Sequence, residues 1–266
     1  MDSVTRIISK FPLLETLILD VPKVKSLQIF HPYLRRLEVT RFSKSYMKLK
    51  KFQIDAPRLY GFKYNGTDVP CLLFKRFSCL REVELDLRIN KDIDSSWFLS
   101  LRENLLVLNQ QKVVLTLSLM IFSDMIAFTP MLLEGSLVPS LCLSCLKLKY
   151  ISKGTTTLTY PALIEGLLGS CHPNTVTVNF LSQQNHEFIE ILCNTLMRRE
   201  GMEKCCSDRY TFPCWRHRLQ EVKVVVETLN GSRVCKGDIH GNALCNSLLT
   251  IDNGSLQQVK FELKWW

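Results

Sequence analysis

Glycine is scarce in this chain, with 11 among 266 residues, and none stands in a phosphate-cradling loop. No Gly-x-Ser-x-Gly elbow and no His-Glu-x-x-His pair occurs. The five histidines, His31, His172, His186, His217 and His240, are scattered. These gaps argue against an enzyme. Long apolar runs are missing as well. The richest stretch, Val113 to Leu133, is broken by Thr116, Ser118, Ser123, Asp124 and Pro130, far short of the roughly 18 apolar residues of a membrane helix. The opening MDSVTRIISKFP carries no apolar core of signal-peptide length, so a cytoplasmic or nuclear protein is expected. On that expectation the sequons at Asn65, Asn230 and Asn253 carry no meaning.

A disulfide framework is also lacking. The 11 cysteines are odd in number and irregular in spacing, as expected of reduced, packed thiols. Cys142-x-x-Cys145 has the spacing of half a zinc site but no second pair. Cys205, Cys206, Cys214 and His217 supply four potential ligands, yet adjacent cysteines suit one ion poorly, and a loop pinned by Trp215 is the plainer reading. No metal or cofactor is expected.

What the chain does have is a recurring frame, apolar-x-x-apolar-x-apolar. It runs as Leu14-Leu17-Leu19, Val24-Leu27-Ile29, Leu34-Leu37-Val39, Leu49-Phe52-Ile54 and Leu59-Phe62-Tyr64. Later copies are Leu80-Val83-Leu85, Leu143-Leu146-Leu148, Leu219-Val222-Val224 and Leu256-Val259-Phe261. The last two apolar positions alternate with polar ones, the period of a strand with one buried face. Pro12, Pro22, Pro32 and Pro57 each precede the first apolar position by two residues. Such units cannot bury their apolar faces alone and must stack on one another. Several frames start ten residues apart, room for a short strand and an extended return of similar length. Phe52 and Phe62 should then meet in the core of adjacent strands, with Lys51 and Lys63 outside.

The longer gaps have room for helices. Ser95 to Gln110 offers a serine cap and an apolar face of Phe98, Leu101, Leu105 and Leu108. Ala162 to Cys171 leads into the alternating Thr175 to Phe180. His186 to Glu200 spaces Phe188, Ile191, Leu192, Thr195 and Leu196 for one helical face. The expected fold is α/β, one leucine-rich-repeat solenoid over residues 1–266 with a curved, mostly parallel sheet, short returns in its first part and helices on the convex side later. Tight strand repeats fill 1–90, strand–helix units fill 91–204, and 205–266 hold C-terminal repeats or a cap.

The segments FPLLETLIL, LRRLEVT, IDAPRLYGFKYNG, SCLREVELDL and the late CC…CWRHRLQEVKV resemble the repeat region of plant F-box/LRR proteins. That resemblance implies a non-catalytic domain that recruits proteins for ubiquitination. In the family an F-box ahead of the repeats docks on a Skp-type adaptor of a cullin-based ligase. Here the first frame follows closely on Met1, so the F-box is expected to be missing, and adaptor docking is carried onto no residue. The C-terminus shows no clear match to the module that closes many relatives.

Net charge is +9. Lys44, Lys48, Lys50, Lys51, Arg58 and Lys63 make a basic segment, and Glu82, Glu84, Asp86, Asp92 and Asp94 an acidic one. Nucleic-acid binders carry a continuous basic stripe, whereas this patchwork favours discrimination among protein partners. The residues expected to face a partner are Ile18, Gln28, Phe30, Arg36, Glu38, Lys51, Gln53, Lys63, Glu82 and Glu84. Ile18 and Phe30 are the expected apolar anchors.

Overall fold

The computed structural model describes residues 3–21, 26–41, 51–67, 69, 71–76, 78–108, 113–122, 126–127, 141–151, 159–179, 184–197, 215–228, 231–235 and 256–266. The fold is α/β, with mostly parallel strands and few helices. The chain divides into two compact units, Met1–Ile89 with Ser100–Ser118, and Asn90–Leu99 with Leu119–Trp266.

In the first unit a short helix, α1 (Ser3–Ile8), precedes β1 (Thr16–Asp20), β2 (Ser26–Phe30), β3 (Arg36–Arg41), β4 (Lys51–Asp55), β5 (Gly61–Gly66), β6 (Leu72–Phe74) and β7 (Glu82–Ile89). The frames form strands as expected, but successive frames do not pair with each other. β1, β3, β5 and β7 lie side by side in one parallel sheet, which continues to β8 (Val114–Ile121). The intervening β2, β4 and β6 make a second parallel sheet. Ten residues therefore carry the chain from one sheet to the other, not to the neighbouring strand. The apolar frames at Val24 and Leu49 begin outside the described residues.

The physical reason lies in the links. Phe11-Pro12-Leu13-Leu14 and Ala56-Pro57-Arg58-Leu59 are tight turns, closed by Leu14 N–H donating to Phe11 C=O (3.1 Å) and Leu59 N–H to Ala56 C=O (3.0 Å). Proline sits at the second position, where its fixed φ is pre-set for the turn. Such a reversal swings the next strand across the layer instead of laying it alongside. At the third link His31 replaces the backbone closure: its Nδ1 accepts from Tyr33 N–H (3.3 Å), and its Nε2–H donates to Phe11 C=O (2.9 Å), tying one turn to the previous one. Above these turns runs a backbone ladder, with Tyr60 N–H donating to Arg35 C=O, Arg81 to Tyr60 and Val114 to Arg81.

Between the two sheets lies the core. Leu37, Val39, Phe62, Tyr64, Val83 and Leu85 point inward from one, Leu27, Ile29, Phe52, Ile54 and Leu72 from the other, all buried. Phe62 meets Phe52 edge-on at 5.6 Å between ring centroids, across the two layers and not on adjacent strands as expected, and also meets Phe74 at 5.6 Å. Such pairs add about 0.5–1.5 kcal/mol beyond their buried area.

In the second unit β9 (Leu141–Leu143) pairs with β11 (Cys171–Pro173), and β10 (Cys145–Ile151) with β12 (Thr175–Asn179), both in parallel. Helix α3 (Tyr160–Ser170) fills the return between them. At the C-terminus, where repeats or a cap were expected within a mostly parallel sheet, the strand direction is a correction. β13 (Leu219–Thr228), β14 (Gly231–Cys235) and β15 (Leu256–Trp265) are antiparallel, in the order β10-β12-β15-β13-β14. Their alternation continues far past the frame, over ten residues in β13 and β15, and antiparallel partners satisfy such long strands without a crossover. Trp265 stacks on His172 (4.4 Å, 9°) while its Nε1–H donates to Pro173 C=O (2.8 Å).

Helix α2 (Ser95–Leu106) starts where expected, with Phe98, Leu101, Leu105 and Leu108 buried, but its cap is Asp94 rather than a serine. Asp94 Oδ1 accepts from Trp97 N–H (2.9 Å) and Ser96 O–H (2.7 Å). Those two bonds, the Ser96 one first, hold its carboxyl below the usual carboxylate range. Helix α4 (Gln184–Met197) buries Phe188, Leu192 and Leu196 and lies against α3. Residues 198–200, where the expected helix ends, are outside the described residues.

Gly166 of α3 sits against the Phe98 ring, and a Cβ there would overlap the ring's far edge. Gly166→Ala should therefore destabilise the second unit by about 1–3 kcal/mol through overpacking, despite alanine's better helix propensity. Urea unfolding followed by tryptophan fluorescence reads this directly, because Trp97, Trp215, Trp265 and Trp266 all belong to the second unit. An unchanged or raised midpoint would contradict the packing.

Candidate protein-binding surface

Alternation along β1, β3, β5 and β7 sends every second side chain away from the core. In register, Thr16, Arg36, Gly61 and Glu82 form one outward row, and Ile18, Glu38, Lys63 and Glu84 the next. Together with Val114 and Thr116 these rows line an open trough of about 530 Å³ in the first unit. Gly61 leaves a gap in its row: a Cβ there would meet only Arg36 Cγ, at 3.9 Å.

Charge is interleaved along the floor. Lys63 Nζ pairs with Glu84 Oε2 at 3.6 Å, and Glu38 Oε1 accepts from Asn65 Nδ2 at 3.1 Å. Both members of the Lys63–Glu84 pair are more than a third exposed, so it contributes at most about 1 kcal/mol. Arg36 has no ionic partner among the described residues. A cation bounded by carboxylates on the next strands is a discriminating surface rather than a uniformly attractive one.

Six of the ten residues expected from sequence are thus brought together: Ile18, Arg36, Glu38, Lys63, Glu82 and Glu84. The other four are on the second sheet. Gln28 pairs with Gln53, Lys51 with Ser26 and Phe30 with Asp55. Phe30 is exposed as expected, whereas Gln53 is buried, which corrects its assignment as an outward contact residue. Each layer has its own outer face, so a single row of ten does not exist. Val114 and Thr116 were missed because β8 lacks a leucine three residues ahead of Leu115 and so escapes the frame. The alternation of VVLTLSL was the available signal.

Of the expected basic segment, Lys44, Lys48 and Lys50 lie outside the described residues. Arg58 stands over the Tyr33 ring at 5.0 Å. Of the acidic segment, Asp94 is a helix cap. The metal candidates fare as follows. Cys142 is exposed in β9 and Cys145 half-buried in β10, while Cys205, Cys206 and Cys214 are outside the described residues. His217 falls in a short helix, α5 (Trp215–Arg218). Among the described residues no group of three or more His, Cys, Asp or Glu is placed to hold a metal. Cys171 is a packed thiol: its S–H donates to Leu167 C=O (3.2 Å), and burial pushes it up to about 12.

The loop expected to be pinned by Trp215 lies outside the described residues, but Trp215 itself is held. Its Nε1–H donates to Glu165 Oε2 (2.8 Å), and Arg216 bonds both oxygens of that carboxylate while lying over the Trp215 ring at 4.7 Å. The bidentate pair fastens α5 to α3.

No family model, curated protein or solved structure matches the chain. Among the described residues no helix is long and apolar enough to cross a membrane.

On the outer face of the second unit's sheet, Glu262 accepts from both Lys223 and Lys260 at 2.8 Å. These bonds, Lys223 first, hold its carboxyl at about 2. A depressed carboxyl stabilises above its unfolded value and loses that contribution as pH falls toward the folded one. Because Glu262 is about one-third exposed, the effect stays within roughly 1 kcal/mol. Glu262→Gln should lower the urea midpoint at pH 7, and the gap to wild type should close between about pH 4.5 and 2. A gap independent of pH would mean that charge plays no part.

Proposed function

We propose that this chain is a non-catalytic protein-interaction domain of the leucine-rich-repeat solenoid kind, and that the trough of the first unit captures its partner. One observation carries the reading: six residues from separate stretches of the chain converge on one open, charge-interleaved face of a parallel sheet. The pitch supports the repeat assignment. Thr16, Arg36, Gly61 and Glu82 are stacked partners, so successive strands lie 20, 25 and 21 residues apart, within the usual 20–29 of leucine-rich repeats. Two frames, rather than one, make each repeat.

The resemblance to F-box/LRR proteins supports a more specific role, in which the captured protein is presented to a ubiquitin ligase through a Skp-type adaptor. A stand-alone binding domain with no ligase link is the alternative. Nucleic acid fits less well, because Glu38, Glu82 and Glu84 outnumber the cations of the trough and would repel phosphate.

The triple variant Arg36→Glu, Lys63→Glu, Glu84→Lys rewrites the floor while leaving the core untouched. Exposed substitutions of this kind change stability by about 0.5 kcal/mol or less each, so the fold should persist. Proximity labelling in cells should show partners of the wild-type chain at least about tenfold depleted with the triple variant, while Lys51→Glu on the other sheet keeps them. Equal labelling by wild type and triple variant would sink the trough as the docking face.

A further inference from the structure

The two sheets of the first unit end differently on the side of the chain's start. At the edge of the second sheet, α1 packs on β2 and buries Ile8 to 3 % exposure. At the edge of the first sheet, no described helix packs on β1 in this way. Its inward Leu17 and Leu19 remain half-buried, whereas the equivalent Leu37, Val39, Phe62, Tyr64, Val83 and Leu85 are all 2 % exposed or less. Ile18 is 68 % exposed and Leu13 77 %. Edge strands of soluble proteins are ordinarily blunted by lysine, proline or a bulge. β1, Thr-Leu-Ile-Leu-Asp, has none of these.

The phase of its free backbone groups follows from the bonds on its other side. Glu15 C=O accepts from Arg36 N–H (3.0 Å), and Val21 N–H donates to Thr40 C=O (2.9 Å). Odd-numbered residues therefore bond to β3, and Thr16, Ile18 and Asp20 turn both N–H and C=O to the open edge.

We propose that this edge pairs with the same edge of a second copy, antiparallel and centred on Ile18. The strand is complementary to itself in that register alone at full overlap. Thr16 faces the partner copy's Asp20, hydroxyl to carboxylate. Leu17 faces the copy's Leu19, and Ile18 faces Ile18 across the two-fold axis. The open groups of the three even residues then form hydrogen-bonded pairs, about six bonds in all, and the leucines occupy the closer, non-bonded pairs. No like charges oppose one another. An antiparallel pair in one continuous sheet preserves its faces, so both troughs open on the same side. The dimer presents two copies of the docking face to one partner, with the gain of bivalent attachment. This inference stands independently of which partner the trough binds.

Light scattering coupled to gel filtration of the full chain at micromolar concentration should give about 62 kDa, twice the 30.8 kDa of one chain. Ile18→Lys sets two lysines against each other at the axis and should raise the dissociation constant at least about tenfold, as should Ile18→Glu. Far-UV circular dichroism checks that each variant is folded, as expected for so exposed a site. Mixing the two variants should restore the 62 kDa species, because Lys then faces Glu. A monomeric wild type, a dimer indifferent to Ile18→Lys, or a folded variant pair that does not re-associate on mixing would each overturn the proposal.

Discussion

Everything in the first unit depends on the burial of two facing rows of apolar side chains that neither sheet could cover alone. Strands of five or six residues are too short to be stable as isolated ribbons, and each sheet alone would leave its apolar face in water. Stacking solves both problems. Each turn of chain contributes one strand to each sheet, so that Phe62 reaches from one layer to Phe52 and Phe74 of the other. The proline turns serve this burial. A fixed φ at Pro12 and Pro57 lowers the entropy of the unfolded chain at the points where direction must reverse. His31 shows the same logic in another form, with a buried side chain closing its own turn and bracing the previous one.

With the core consigned to alternate positions, the remaining positions are free of structural duty and become a surface. In the first sheet they are interleaved acids and bases around the gap at Gly61, and in the second a mixture of glutamine, lysine and phenylalanine. The second unit spends its outward positions differently, binding Glu262 between two lysines and Glu165 between Trp215 and Arg216. These are charge-assisted contacts of fastening, made between elements of the same unit. The contrast with Arg36, which has no ionic partner among the described residues, is what makes the trough, rather than either carboxylate cluster, the surface of interest.

Much of this was legible in the sequence. Period-two alternation located β1, β2, β3, β4, β5 and β7, and the helical faces of α2 and α4 followed from 3.6-residue spacing. Even the contact of Phe52 with Phe62 could be foreseen. What could not be read was the allocation of strands to sheets. Alternation states that a strand has an inner and an outer side, but strands of both layers look the same in that respect. Only the sense of the turns at Phe11–Leu14 and Ala56–Leu59 decides whether the next frame lies beside the last or opposite it. That is why six contact residues converged while Gln28, Phe30, Lys51 and Gln53 went to another face. The antiparallel C-terminal strands were hidden for a related reason. Leu219-Val222-Val224 and Leu256-Val259-Phe261 satisfy the frame, yet strand direction leaves no mark on alternation. Asp94 displaced Ser95 as the cap because both are good caps, and the choice rests on one residue of helix phase.

The split between inward and outward positions has a consequence for how such a chain can change over time. Leu17, Leu37, Phe62 and Val83 fix the fold; Ile18, Glu38, Lys63 and Glu84, one residue further along each strand, do not touch it. Two independent texts are written on alternate letters of the same strands. A substitution at an even or odd position is read by one and ignored by the other, depending on the strand. Duplicated copies of such a gene can vary the trough without risking the core beneath, and at Gly61 a Cβ has room, meeting only Arg36 Cγ at 3.9 Å.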